Sequence, residues 1–268
     1  MSKTRRDFLK LAGACACTVA ASQLVGANAQ AADAGHGGHA PAVAQPANQH
    51  DNALHGTHWG MVIDTKRFTD PLLVQKCMDA CHLTHNVPKI DGPQELKWIW
   101  AASYLETFTE HNHYLPESVE QRSFMLLCNH CENPPCVRVC PTKATFKRAW
   151  DGIVQMDMHR CIGCRFCMAA CPYGARSFNF NNPRPYLDET KMNPDYPTRM
   201  RGVVEKCTFC VERLAQGLMP ACVEASDGAI LFGDLDDPHS SVRKALASKF
   251  TVRRKVSLGT EPSVYYII

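Results

Sequence analysis

The segment Cys161-Ile162-Gly163-Cys164-Arg165-Phe166-Cys167-Met168-Ala169-Ala170-Cys171-Pro172 constrains the fold more than any other stretch of the chain. Its C-x2-C-x2-C-x3-C-P spacing wraps three thiolates around one corner of an iron–sulfur cubane and sends the fourth cysteine to another cluster. One such run therefore demands a partner elsewhere in the sequence. The chain holds fifteen cysteines in 268 residues, far more than a core needs. Disulfide scaffolds of that density are short secreted domains, and their cysteines rarely fall in repeated C-x2-C pairs followed by proline. Structural zinc also takes four cysteines, but seldom in this spacing.

The partner run is Cys128-Asn129-His130-Cys131-Glu132-Asn133-Pro134-Pro135-Cys136-Val137-Arg138-Val139-Cys140-Pro141, a C-x2-C-x4-C-x3-C-P variant. Pro134-Pro135 widens its loop without changing the number of thiolates. Between the runs, Ala144–Arg148 and Ile153–Met158 read as a β-hairpin turning at Asp151-Gly152. Run, hairpin, run is a ferredoxin duplication. Cross-ligation then pairs Cys128, Cys131 and Cys136 with Cys171 in one cluster, and Cys161, Cys164 and Cys167 with Cys140 in the next. Pro141 and Pro172 turn the chain away after each fourth cysteine.

Two further motifs are incomplete. Cys207, Cys210 and Cys222 form a third run in which Ser226 and Asp227 stand where a final Cys-Pro would be. Near the start, Cys77-x3-Cys81-His82 is the back half of a run, with Pro71 and Val74 at the positions of the two front ligands. Cross-ligation between these motifs gives Cys81 to Cys207, Cys210 and Cys222. The mirror site keeps Cys77 alone, which is left as a small buried hydrophobe. The count closes at twelve ligands and three [4Fe–4S] clusters. A C-x-x-C-H haem attachment is one residue too short to fit, and would consume Cys81. His130 and His159 sit beside cluster cysteines, where an imidazole can tune a potential, but the plainer reading is surface or satisfied residues.

Thr4-Arg5-Arg6-Asp7-Phe8-Leu9-Lys10, followed by an apolar stretch from Leu11 to Val25 and the small-residue site Ala27-Asn28-Ala29, has the form of a twin-arginine export signal. The expected location is the periplasm, with cleavage near Ala29 and loss of Cys15 and Cys17. Export after folding suits clusters that assemble on reduced thiolates. Removing 1–29 takes Lys3, Arg5, Arg6, Lys10 and Asp7, so 29 basic and 26 acidic residues become 25 of each. A neutral mature chain argues against a nucleic-acid partner. Residues 30–58, with His36, His39, His50, His55 and His58, read as a flexible Ala/Gly/Pro/His linker. No later stretch has the apolar length to span a bilayer, so membrane contact is expected only through partner subunits.

From residue 59 onward the motifs resemble the ferredoxin-type electron-transfer subunits of membrane oxidoreductases of the polysulfide, nitrite, tetrathionate and dimethyl sulfoxide reductase families. The likeness includes Trp98-Ile99-Trp100 and the closing segment Gly259-Thr260-Glu261-Pro262 with Val264-Tyr265-Tyr266. It implies an α+β fold of two interleaved ferredoxin-like (βαββαβ) units with long loops. The inner unit, 128–199 with two clusters, is inserted in the outer unit, 59–127 plus 200–268 with one. It further implies an NrfD-type membrane quinone-reactive subunit and a periplasmic multihaem cytochrome c as partners, in sulfur metabolism linked to sulfite reductase. Service in a polysulfide, tetrathionate or nitrite reductase-type complex stays open beside it. The expected role is electron transfer without catalysis, because no thiol set is left with an open iron and no nucleophile–base signature is present.

Overall fold

The computed structural model describes residues 52–108, 114–120 and 122–268. The expected signal segment with Cys15 and Cys17, the linker up to residue 51, and the loop residues His111 and His113 lie outside the described residues.

Both ends of the described chain meet in one sheet. β1 (Trp59–Asp64) lies between β8 (Ile230–Asp234), antiparallel to it, and β10 (Val264–Ile267), parallel to it; β9 (Thr251–Val252) flanks β10. β1 is almost wholly apolar because both of its faces are covered. Successive side chains point to opposite faces. Trp59, Met61 and Ile63 therefore enter the main core, whereas Val62 joins Leu235, Val242 and Ala245 beneath a helix. That helix, Ser241–Ser248, is capped by Ser240, whose side chain accepts from Arg243 N.

Three antiparallel pairs make up the rest: β2 (Ile99–Ala102) with β3 (Phe124–Leu127), β4 (Thr145–Lys147) with β5 (Val154–Met156), and β6 (Ser177–Phe178) with β7 (Val204–Glu205). The β4–β5 pair is the hairpin expected between the two complete cysteine runs. Its connection is longer than an Asp-Gly turn, because Arg148 N bonds to Ile153 O at 2.9 Å and closes a wider loop. Gly152 takes positive φ (+74°), while Asp151 uses its carboxylate to accept from Ile153 N at 3.2 Å. The β6–β7 pair joins strands on the two sides of residue 199.

α1 (Pro71–Thr84) starts with Asp70 accepting from Leu72 N at 2.9 Å and with Pro71 in its first turn. Val74, Cys77 and Cys81 form its buried stripe, at the i, i+3, i+7 spacing of one helix face. Pro71 and Val74, the positions of the missing ligands, thus belong to a helix rather than to a ligand loop.

Residues 52–58, the end of the expected linker, are tied to the body. Leu54 N donates to Leu214 O at 2.9 Å, and Asp234 accepts from Thr57 N and His58 N at 2.7 and 3.0 Å.

A buried ion pair joins the loop before β2 to the β6–β7 pair. Glu205 accepts from Arg199 Nε at 2.8 Å and Trp98 Nε1 at 2.7 Å, and both charged side chains are at most 1% exposed. Arg199 also donates to the carbonyls of His85 and Asn86. Glu205→Ala, which leaves a buried guanidinium without its carboxylate, is expected to lower stability by about 3–5 kcal/mol, read from the urea midpoint under anaerobic conditions.

Candidate iron–sulfur cluster sites

The three C-x2-C loops share a backbone conformation. The residue before the second cysteine has positive φ in each case: His130 (+41°), Gly163 (+69°) and Phe209 (+54°). The two complete runs repeat the feature three residues after their last cysteine, at Lys143 (+54°) and Gly174 (+64°). Left-handed residues of this kind fold successive amides into a concave nest that favours anions. Gly163 is also required sterically, since a Cβ there would lie 2.4 Å from Gly202 O.

These loops deliver the cysteines in groups. Cys128, Cys131, Cys136 and Cys171 line one cavity together with Asn129 and Arg176. Cys140, Cys161, Cys164 and Cys167 line another. Cys81, carried by α1, lies within electrostatic reach of Cys207, Cys210 and Cys222. Cys171 and Cys140 are thus exchanged between the two complete runs. The groups stand in a row: Cys207 neighbours Cys128, and Cys167 neighbours Cys136, so the Cys128 group is the middle one. All thirteen described cysteines are free thiols.

Burial and crowding oppose ionisation of these thiols one by one. Burial, reinforced by Cys128, pushes Cys131 up to about 12, and burial with Cys128 nearby does the same to Cys207. Burial raises all of Cys81, Cys210 and Cys222; Cys210, Cys222 and Cys207 add to it at Cys81, Cys222 and Cys207 at Cys210, and Cys207 and Cys77 at Cys222. Cys140 differs. Its slight burial works upward, but donors from Thr145, Thr142 and Ala144 outweigh it and lower the thiol.

A set of such thiols is stable as thiolates only around a strongly cationic core, and metal binding supplies that by displacing the protons. Buried polar atoms around the groups point the same way. Asn129 Nδ2, Thr208 Oγ1, Arg176 Nη2 and His130 Nε2 have no hydrogen-bond partner. His130 Nδ1 accepts from Val154 N at 3.1 Å, which leaves Nε2 as the N–H. These four atoms can donate, as sulfur acceptors require, while Asn129 Oδ1, also without a partner, can only accept. The residues present fit iron–sulfur clusters.

Cys77 stands apart. It is buried on α1 near Cys222, and burial, partly offset by Lys76, pushes it up to about 11. Ser226 offers no free oxygen to a mirror site, because its hydroxyl donates to Val223 O at 2.7 Å and accepts from Ile230 N at 3.0 Å. Lys76 and Asp227 close the gap between α1 and the helical turn Ala221–Ala225 with a 2.8 Å ion pair.

Of the two histidines read as surface or satisfied, His159 is exposed. His130 is buried and stacked on Phe209 at 3.7 Å between ring centroids, which places it between the middle and Cys81 groups. Sequence reasoning passed over His85, Arg176 and Lys206. His85 stacks on Trp98 at 4.7 Å, bonds Glu212 at 2.6 Å and sits 3.7 Å from Cys81 Sγ. Arg176 follows Cys171 by five residues and Lys206 directly precedes Cys207. That adjacency was the only signal either left in the sequence.

Closely grouped thiols on a small-sheet α/β scaffold define an iron–sulfur protein, and the chain belongs to the family of iron–sulfur electron-transfer subunits of oxidoreductase complexes. Residues 119–184 match the 4Fe-4S dicluster domain. The chain is 44% identical over 233 residues to the Hdr-like menaquinol oxidoreductase iron-sulfur subunit 1 of Archaeoglobus fulgidus, covering 78% of this chain and 82% of that protein. It is 39% identical to the menaquinone reductase iron-sulfur cluster-binding subunit of Nitratidesulfovibrio vulgaris, covering 78% and 88%. A tetrathionate reductase subunit of Salmonella typhimurium is 36% identical, with 78% and 72% covered. The protein transfers electrons as a non-catalytic subunit.

Gly163→Ala forces a side chain into a left-handed position, at about 1–2 kcal/mol of backbone strain, and drives its Cβ into Gly202 O. The anaerobically purified variant is expected to lose up to about four iron atoms per chain, measured by iron and acid-labile sulfide analysis.

Proposed function

We propose that the three thiol groups each hold a [4Fe–4S] cluster, so that the chain relays electrons along a row of three within two interleaved ferredoxin-like units. The observation that carries this reading is the convergence of twelve cysteines from four motifs into three groups of four. Each cluster, when bound, supplies reversible one-electron storage. The chain's own residues do the rest. Cys128, Cys131, Cys136 and Cys171 would hold the middle cluster; Cys140, Cys161, Cys164 and Cys167 one outer cluster; Cys81, Cys207, Cys210 and Cys222 the other. Burial of the middle and Cys81 groups excludes water. Cys164 is exposed beside Ile162 and Phe166, at 66% and 58% exposure, which leaves the Cys140 group open to a partner.

The wider setting we propose is that of a DsrO-like periplasmic subunit of a DsrMKJOP complex, exported by the twin-arginine route. Its partners would be an NrfD-type, DsrP-like membrane quinone-reactive subunit and a DsrJ-like multihaem cytochrome c, linked to sulfite reductase. Likeness to subunits of a menaquinol oxidoreductase and a menaquinone reductase supports the quinone connection. A second reading, service in a tetrathionate reductase-type complex, is favoured by likeness to the Salmonella tetrathionate reductase subunit.

Iron and sulfide analysis of the anaerobic protein is expected to return about twelve iron atoms. Sixteen would restore a fourth cluster, and eight would remove Cys81 from its group. Cys81→Ala should lose one cluster and Cys77→Ala none. Replacing Arg5 and Arg6 by lysine should trap cluster-loaded precursor in the cytoplasm, seen by fractionation; unimpaired export of that variant would exclude the twin-arginine route.

A further inference from the structure

We infer that Arg176 and Lys206 are potential-setting residues: buried cations held in the two gaps of the row, Arg176 between the middle and Cys140 groups, Lys206 between the middle and Cys81 groups. The inference rests on the three-cluster reading and assigns roles to two residues outside the thiol sets.

Arg176 is 5% exposed. Its Nη1 donates to Thr145 Oγ1 at 3.1 Å and approaches Met156 Sδ at 3.7 Å, which fixes the guanidinium against the β4–β5 hairpin. The rest of the guanidinium lines the cavity of the middle group and faces Cys136 and Cys167, one thiol from each group. Nη2 meets no oxygen or nitrogen acceptor. Lys206 is 1% exposed, and its Nζ donates to the carbonyls of Cys207 and Val154. Its charge acts on Cys207, which neighbours Cys128 across the other gap, and on His130.

Neither cation forms an ion pair with a carboxylate among the described residues. A buried charge without a counter-charge is too costly to keep. Arg176 faces thiols of the middle and Cys140 groups, and Lys206 lies against Cys207, whose carbonyl its Nζ bonds, so thiolate sets supply negative charge beside each cation. A four-thiolate cluster becomes more negative on gaining an electron, so a fixed cation beside it favours the reduced state and raises its potential. Because each cation stands in a gap, it acts on two clusters.

The test is EPR-monitored redox titration of the anaerobic full-length protein, with iron analysis on the same samples. Arg176→Gln is expected to retain full iron and to shift two of three midpoint potentials downward, leaving the third in place. Lys206→Met should also lower two, so that one potential moves in both variants and each of the others in only one. Arg176→Lys, which keeps the charge, should stay close to the parent protein. Full iron with all potentials unchanged overturns the inference, as does an equal shift of all three. A shift in Arg176→Lys as large as in Arg176→Gln, or loss of iron in both, assigns Arg176 a structural role and also overturns it. An iron content in the parent protein away from about twelve tells against the three-cluster reading instead.

Discussion

Four thiols brought into one buried cavity repel one another as soon as they ionise, and apolar surroundings make the repulsion stronger. That constraint governs the protein. Cys81, Cys207, Cys210 and Cys222 are all raised by burial and by neighbouring thiols, Cys207 by Cys128 of the middle group, and the middle group shows the same pattern at Cys131 and Cys171. A metal core converts this repulsion into cohesion, because each thiolate then faces positive charge. Folding and cluster binding are coupled in consequence: the segments that carry the ligands are short turns, and several thiols that share a group come from distant parts of the chain.

The sheet supplies the frame on which those turns hang. β1 and β10 pair from opposite ends of the described chain and, with β8, present Met61, Ile63, Phe232, Val264 and Tyr266 to the core that also contains Cys81, Cys128 and Cys207. Where a fourth site would stand, the physics is ordinary packing. A capped helix occupies the positions of two missing ligands, Ser226 bonds only its own turn and the start of β8, and the Lys76–Asp227 pair spans the opening.

Polar chemistry in the interior follows the row of thiol groups. His130 and Phe209, both left-handed and both next to a cysteine, stack between two groups. Asn129 and Thr208 carry unmatched buried donors beside them. Farther out, Glu205 gathers Trp98 and Arg199, a neutralised ion pair that sets Trp98 under His85. Electron-transfer proteins have little bond-making to perform, so such residues act by fixing charge and excluding water around the centres.

The sequence by itself determined the ligand chemistry. Spacing within a loop is a local property, so C-x2-C runs and their prolines are legible without knowing the fold, and so is the hairpin between them. The apolar stretch Trp59–Asp64 was equally plain, since buried strands announce themselves by composition, whereas the closing strand at Val264 was read from the family resemblance. The tertiary structure alone decided what depends on distant neighbours. It placed the Cys128 group in the middle of the row, set the end of the expected linker on Asp234, and buried His130, Arg176 and Lys206 in the gaps. Histidine, arginine and lysine are most often surface residues, and nothing local to their sequence marks burial; only the approach of separate loops around shared thiol sets creates the spaces they fill.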